Sequence, residues 1–440
     1  MARIGFISLG CEKNTYDTEC AIGALLSEGH EITGDPSEAD CVIINTCGFI
    51  EPAREEAREN IRDMLLLKKD RPSLKVLITG CYAQKYLREL EELFPEADGI
   101  LGIELQHGIG AAIDRLLSGG RLREVRQPSS VWREPEPGRC SLTPFWTGNL
   151  KITEGCNNRC SYCAIPSIRG SLRSRPIESA VAEARSMAVQ GTKELVIIGQ
   201  DTTAYGKDLG EPGLICRLIE ELSDIDGICW IRLMYTYPDE ITDRLIETIA
   251  ASPVALPYID MPLQHASDAV LRRMNRRGTA ESCRQLIGRL RRAMPDICLR
   301  TTFIAGFPGE TDEEYRELLD FAAEMRFDRA GFFAYSPEPG TPARDMEQVP
   351  EEVKKERLAG LALQQERISL TKNSALAGRE LQVLTEVRDR RGSVGRCYRD
   401  APEVDGVVYI RGGRPAPGEM VRVRITGAVN ANDLQGTLIK

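Results

Sequence analysis

Histidine is scarce in this 440-residue chain: with only His30, His107 and His265, a histidine-built zinc site has little material, and all-thiolate ligation is favoured. Long apolar runs are missing too. No stretch approaches the roughly 18 apolar residues of a membrane span, so no membrane partner is expected. The amino-terminal MARIGFISLGCEKN lacks a basic region followed by a long apolar run and small residues; no secretory signal is read, and the cytoplasm is the expected location. Net positive charge is also absent. At a formal charge of -9 the molecule as a whole does not draw phosphate backbones to itself, although a local basic face is compatible with that total. Cysteine, by contrast, is plentiful. Fourteen thiols in a compartment that keeps them reduced point to metal or cluster ligation rather than a disulfide framework.

At roughly 150 residues per domain, the length suggests about three units. The first block alternates strand-like runs (RIGFISLG, DCVIINTCG, LKVLITGC) with helix-like stretches, the βαβ alternation of a parallel, doubly wound sheet. It runs out near residue 118, and LREVRQPSSVWREPEPGRCSLTP reads as a linker with a boundary near residue 140. A second block offers six apolar strand candidates: NLKITEG, ELVIIGQD, WIRLMYTYP, PYIDMPLQ, LRTTFIAGFP and RAGFFAYSP. Helical segments separate them, which predicts a partial (β/α)6 barrel with functional residues at the carboxyl ends of its strands. EEVKKERLAGLALQQERISLTKNS reads as a connecting helix, and from Gly378 onward short alternating runs (ELQVLTEV, GVVYIRG, EMVRVRITGA, QGTLIK) predict a small β-barrel. The expected architecture is α/β and multi-domain, with units 1–118, 142–373 including the connecting helix, and 374–440.

Cys156, Cys160 and Cys163, spaced C-x3-C-x2-C in ITEGCNNRCSYCAIP, follow the first barrel strand and so lie on its active face. Three thiolates can hold a 4Fe-4S cluster and leave one iron without a protein ligand, unlike the four-cysteine sites of electron carriers. That iron can chelate the amino and carboxylate groups of S-adenosylmethionine (SAM), whose sulfonium is then reduced by one electron to release a 5′-deoxyadenosyl radical. Unrelated thiols or part of a zinc site are the plainer alternatives. No fourth ligand lies nearby in sequence, which speaks against zinc and against a non-catalytic iron-sulfur carrier.

Cys11 follows RIGFISLG, Cys47 follows CVIINT and Cys81 follows LKVLITG, so each comes just after a parallel strand, where ligand sites of open α/β sheets form. They can converge on a second cluster or be buried thiols; spacings this long do not decide. Cys41 starts its strand at the opposite edge and Cys20 is mid-helix. Cys229 and Cys298 begin barrel strands, and Cys140, Cys216, Cys283 and Cys397 have no partner pattern, so packing is expected of all eight.

Gly199, Gln200 and Asp201 end the second barrel strand, where a bend and polar groups can hold the SAM amino group. Gln264 and His265 end the fourth and can reach the ribose, although a lone histidine is as readily a satisfied structural residue. Gly306 and Gly309 in TTFIAGFPGET either let backbone approach a flat ligand such as adenine or serve turns. The basic run RRMNRRG (272–278) reads as a solvated face and is given no role.

The segments SLGCEKN (8–14), NTCGFI (45–50), TGCYAQ (79–84), EGCNNRCSYCAIP (154–166), MPLQHASDAVLRRMNR (261–276), FPGET (307–311) and YSPEPGTPA (335–343) together resemble the radical SAM methylthiotransferases. The resemblance covers nearly the whole chain and implies an auxiliary-cluster domain, a radical SAM core and a carboxyl-terminal TRAM domain, with two 4Fe-4S clusters and SAM as cofactors. It gives Cys11, Cys47 and Cys81 an auxiliary cluster that takes part in sulfur insertion, and Cys156, Cys160 and Cys163 the cleavage of SAM. Within the family, CAIPSIRGSLRSRPIE (163–178), the histidine of LQHASD, CYRDAPEVDGVVYI (397–410) and NDLQG (432–436) are similar to the branch that methylthiolates the β-carbon of an aspartate in small-subunit ribosomal protein S-twelve. The partners so implied are that protein, free or on the ribosome, and an electron donor such as flavodoxin or ferredoxin. The rival substrate is a tRNA adenosine: residues 378–440 carry eleven Lys and Arg against eight Asp and Glu, a balance that RNA binding would share.

Overall fold

The computed structural model describes residues 1–104, 107–135 and 138–439, which leaves Glu136 and Pro137 of the expected linker outside the described residues. The first block forms β1 (Arg3–Ser8), β2 (Glu31–Thr33), β3 (Cys41–Thr46), β4 (Lys75–Gly80), β5 (Gly99–Leu101) and β6 (Leu122–Glu124), ordered β2-β1-β3-β4-β5-β6. All neighbours are parallel. Strand β3 is buried throughout, and its side chains alternate between two cores. Val42 and Ile44 join Ala57 and Ile61 of the helix Glu51–Asp70, while Ile43 joins Ala21 and Leu25 of the helix Glu12–Ser27. Each such burial stabilises the sheet by about 1.5–3 kcal/mol. The expected end of this unit at residue 118 is one strand short, because β6 pairs with β5. Three residues with polar flanks carry too little periodicity to be read as a strand.

The chain reverses direction across the sheet between β1 and β3, and the loops at such a switch point form a crevice at the carboxyl edge. Register finishes the alignment: Ser8 pairs with Asn45 and Thr46 with Gly80, so the loops bearing Cys11, Cys47 and Cys81 leave the same edge. Cys41, paired with Lys75, lies at the other edge.

The second block contains β7 (Thr147–Lys151), β8 (Thr153–Glu154), β9 (Arg173–Ser174), β10 (Glu194–Ile198), β11 (Trp230–Leu233), β12 (Ala255–Asp260), β13 (Cys298–Ala305) and β14 (Arg329–Ala334). Six of these, β7 and β10 to β14, form a parallel sheet in chain order that stays open among the described residues, as a (β/α)6 half-barrel should. The pair β8–β9 is antiparallel and clamps the base of the cysteine loop. Inside the half-barrel, Val196, Ile198, Trp230 and Tyr258 cluster with Tyr16 and Cys20 from the first block and with Leu384 and Ala401 from the last. Both outer units thus help to fill a core that six strands leave incomplete.

The helix Glu351–Ser374 leads to β15 (Glu380–Arg388), β16 (Ser393–Cys397), β17 (Val408–Arg411), β18 (Met420–Ala428) and β19 (Leu434–Leu438), closed as β15-β16-β17-β19-β18 around Val383, Val408, Ile410, Val423 and Ile425. Strand β16 is one the sequence did not offer, because Gly395 and Arg396 interrupt its apolar alternation. The small barrel docks on the amino ends of the half-barrel strands. Glu194, which opens β10, accepts from Arg396 Nη2 at 2.6 Å and Arg232 Nε at 2.7 Å, and Asp328, just before β14, accepts from Arg399 Nη2 at 2.7 Å. The barrel therefore sits at the edge opposite the cysteine loop. Among the described residues no helix is long and apolar enough to cross a membrane.

Candidate active site

The loop carrying Cys156, Cys160 and Cys163 leaves β8 through Gly155, whose φ of +74° and contact with the backbone of Gly170 and Ser171 exclude any side chain there. Three anchors fold the loop back on itself. The Cys156 N–H donates to Gly170 O at 3.1 Å, the Asn158 N–H donates to Cys156 Sγ at 3.4 Å, and the Leu172 N–H donates to Asn157 Oδ1 at 3.0 Å. Burial raises the Cys156 thiol to about 11 and the Cys163 thiol to about 12, against N–H donors from Asn158 and Ile165 that favour the thiolates. Loading iron on these sulfurs must therefore release protons.

Segment 272–278, read in the sequence as a solvated face, does expose Arg272, Asn275 and Arg277, and it also braces this loop. Ser161 donates to Met274 O at 3.0 Å through its N–H and to Arg273 O at 2.7 Å through Oγ, while Asn275 Nδ2 donates to Arg159 O at 2.6 Å. Arg276 donates to Tyr162 Oη at 3.3 Å and lies 4.4 Å from the Tyr237 ring, beside Cys160. The basic composition suggested solvent; only the chain reversal after the helix Asp268–Arg273 turns Arg276 inward.

Glycine decides how the other three cysteines meet. Gly10 (φ +96°) lies so close to Cys47 that an added Cβ would be 2.8 Å from the Cys47 Cβ, and one on Gly48 would be 2.6 Å from Tyr82 Cα. The S-L-G-C, T-C-G and T-G-C segments are thus three loops in contact, each cysteine next to a glycine. Cys11 is exposed, Cys47 half-buried and Cys81 buried, and burial raises the Cys47 thiol to about 12. Among the described residues no three His, Cys, Asp or Glu side chains converge on a single ion. An all-sulfur donor set on three touching loops suits a cluster, in which each thiolate takes its own iron, better than mononuclear zinc. The remaining cysteines pack singly, with Cys20, Cys41, Cys216, Cys283, Cys298 and Cys397 all buried.

Of the residues expected to hold SAM, Gly199, Gln200 and Asp201 sit beside the cysteine loop. Asp201 accepts from Asn158 Nδ2 at 2.7 Å, Thr203 Oγ1 at 2.7 Å and the Ala204 N–H at 3.1 Å, and burial raises its carboxyl. Gln200 Nε2 donates to Glu154 at 2.9 Å, whereas Gln200 Oε1 and Thr153 Oγ1 are buried without a partner in the protein, polar atoms that a bound ligand can satisfy. Gln264 holds φ at +72°, a backbone strain of about 1–3 kcal/mol of the kind found at ligand sites. Its backbone is fixed to β13 through Thr302 O and the Ile304 N–H.

His265 and Gly306, each left by the sequence between a ligand and a structural role, are both bonded to Glu310. His265 is fully buried, with Nδ1 accepting from the Ser267 N–H at 2.9 Å and Nε2 facing Glu310 Oε2 at 3.1 Å, so neither ring nitrogen is left for a ribose. Glu310 also accepts from the Gly306 N–H at 3.1 Å and from Arg357 Nη1 at 2.7 Å. Gly306 (φ +69°) turns the chain there, and the Lys354 side chain covers the face where a Cβ would stand. No sequence signal could have joined His265 to Glu310, 45 residues away.

Comparison with known proteins places these features. Residues 150–322 match the radical SAM superfamily, residues 3–102 the uncharacterized protein family UPF0004 and residues 377–439 the TRAM domain. The chain is 46% identical to proteins named ribosomal protein uS12 methylthiotransferase RimO from Symbiobacterium thermophilum (99% of this chain, 90% of that one), Geobacter sulfurreducens (99% and 98%) and Moorella thermoacetica (100% and 100%). Among solved structures, the radical SAM methyltransferase TsrM from Kitasatospora setae, with cobalamin and a 4Fe-4S cluster bound, superimposes with a TM-score of 0.57 at 18% identity, covering 78% of this chain and 77% of that one. The cobalamin-dependent radical enzyme OxsB gives 0.53 at 13% identity, over 84% and 56%. These two share the fold. The chain belongs to the RimO family of radical SAM methylthiotransferases.

Proposed function

We propose that this protein adds a methylthio group to the β-carbon of an aspartate in ribosomal protein uS12, the S-twelve protein of the small subunit. Its cofactors in this reading are SAM and two 4Fe-4S clusters, one on Cys156, Cys160 and Cys163 and an auxiliary one on Cys11, Cys47 and Cys81. The observation that carries the reading is the packing of Cys81 against Ala164 and Ile168, which sets the chain just after Cys163 directly on the auxiliary loops. A methyl-sulfur transfer that uses both sites needs them this close.

Cys156, Cys160 and Cys163 would hold a 4Fe-4S group that, when bound, would bind SAM and supply the electron for cleavage of its sulfonium. Around it the chain binds, orients and excludes water. Asp201 steadies the Cys156 loop through Asn158, and Gly199, Gln200 and Gln264 offer polar atoms and bent backbone to SAM. Arg276 and Tyr162 close the loop from behind. His265 and Gly306 support this wall through Glu310 rather than touching the cofactor. The working units are residues 1–124, 142–373 and 374–440, acting in the cytoplasm with flavodoxin or ferredoxin as reductant. Incubating the reconstituted enzyme, SAM, reductant and sulfide with uS12 or with unmodified tRNA, followed by mass analysis, tests the assignment. One methylthio group on uS12 is expected; its appearance on tRNA alone overturns the substrate.

A further inference from the structure

Arg169 ends the five-residue helix Ile165–Arg169 that follows Cys163, and Gly170 (φ +76°) turns the chain away immediately after it. Its side chain is 3% exposed and belongs to the radical SAM core, yet three of its four acceptors lie in the first unit. Nη1 donates to Asp17 Oδ2 at 2.7 Å and Glu154 Oε2 at 3.1 Å. Nη2 donates to Asn14 Oδ1 at 2.6 Å and to the sulfur of Cys81 at 3.3 Å.

A purely structural reading gives Arg169 the task of neutralising Asp17 and Glu154 at the domain interface. Lys151 already does so, because its Nζ lies 2.7 Å from Asp17 Oδ1 and contacts Glu154 as well. The neighbouring amide also shows that the sulfur contact is built in. Asn14 Nδ2 is committed to Leu9 O at 2.9 Å and Thr46 O at 3.1 Å, which fixes the amide orientation and turns Oδ1 toward Arg169 and Cys81. The guanidinium is thereby aimed. It keeps its charge at any working pH, and its planar fork serves four acceptors that a lysine cannot serve together.

On the two-cluster reading above, we infer that Arg169 is a positioning residue by which the radical SAM loop tunes the auxiliary site, donating a charged hydrogen bond to the Cys81 thiolate. Donors to cluster sulfurs are among the determinants of reduction potential, and a cation beside the ligand favours the reduced, more negative state. Arg169 thus makes the auxiliary site easier to reduce, and only when the two cysteine loops are docked.

The test is a potentiometric titration followed by electron paramagnetic resonance, on the full chain carrying Cys156→Ala, Cys160→Ala and Cys163→Ala so that only auxiliary iron responds. Adding Arg169→Lys, which keeps a positive charge for Asp17 and Glu154, should lower the reduction equilibrium about tenfold, a fall of 59 mV for a one-electron couple. Adding Asp17→Asn instead, which leaves the guanidinium on Cys81 and removes a nearby negative charge, should raise the midpoint and gives a second reading should the lysine variant fold poorly. An unchanged midpoint in Arg169→Lys protein with full auxiliary iron, or a fall with Asp17→Asn, overturns the inference while the two-cluster reading stands. Absence of iron from the triple-alanine parent overturns that reading, and the inference with it.

Discussion

Replacing Gly10 by alanine asks how closely the auxiliary loops are seated. The residue holds φ at +96°, and a Cβ would lie 2.8 Å from Cys47 Cβ, 3.2 Å from Cys47 Sγ and 3.3 Å from Asn14 Nδ2. Backbone strain of this kind costs about 1–2 kcal/mol, and pushing packed neighbours aside about 1–3 kcal/mol more. Together these give roughly 2–5 kcal/mol, concentrated on Cys47, one of the three cysteines of the proposed auxiliary cluster. Gly378 supplies the control, since it has a φ of +87° but nothing within 4 Å of the added atom. Gly378→Ala should cost the strain alone, about 1–2 kcal/mol. Iron and sulfide are counted after anaerobic reconstitution, alongside a denaturant titration. Gly10→Ala should fall from about eight irons per chain to about four, and Gly378→Ala should keep both clusters. If Gly10→Ala held its full iron and unfolded where Gly378→Ala does, the crowding argument would be wrong.

Alanine at Cys11, Cys47 and Cys81 together should spare 5′-deoxyadenosine formation and abolish methylthiolation; equal loss of both activities in a folded variant would sink the division of labour between the triads. Glu194→Ala leaves the buried guanidinium of Arg232 without its carboxylate and that of Arg396 with Glu386 alone, so it should destabilise the docked small barrel by about 3–5 kcal/mol, read as earlier proteolysis between residues 374 and 440. Burial raises the Glu194 carboxyl, but Arg396 and Arg232 outweigh it and hold the group below its ordinary 4.5. A depressed folded value means that the docking stability is complete above 4.5 and declines as pH falls below it, so tryptophan fluorescence in an acid titration should report barrel release there rather than near neutrality. Binding of uS12 should weaken far less between low and moderate salt than a phosphate-held tRNA would, for which about three decades are expected.

Much of this protein was legible from residue order alone. The C-x3-C-x2-C spacing, the glycine beside each auxiliary cysteine, the six apolar strand runs and the helix Glu351–Ser374 are local patterns, and local patterns survive in one dimension. Strands such as CVIINT must be buried on both faces because no polar residue breaks their run before Asn45, and that burial needs no knowledge of the partner. The short strands β2, β5, β6, β9 and β16 escaped because two to five residues, several with polar or glycine interruptions, carry no period. Partnership was decided only in three dimensions. The sequence left His265 between ligand and support, and only the fold supplies Glu310 as the partner of its Nε2. It read 272–278 as a solvated face, and the turn after Arg273 brought Arg276 onto Tyr162. Nothing in CAIPSIRG announces that Arg169 lies 3.3 Å from a sulfur 88 positions earlier. A buried cation takes whatever acceptors the docking of two domains delivers, and that docking is set by the shapes of Tyr16, Cys20, Trp230 and Tyr258 in one shared core, which no local pattern encodes.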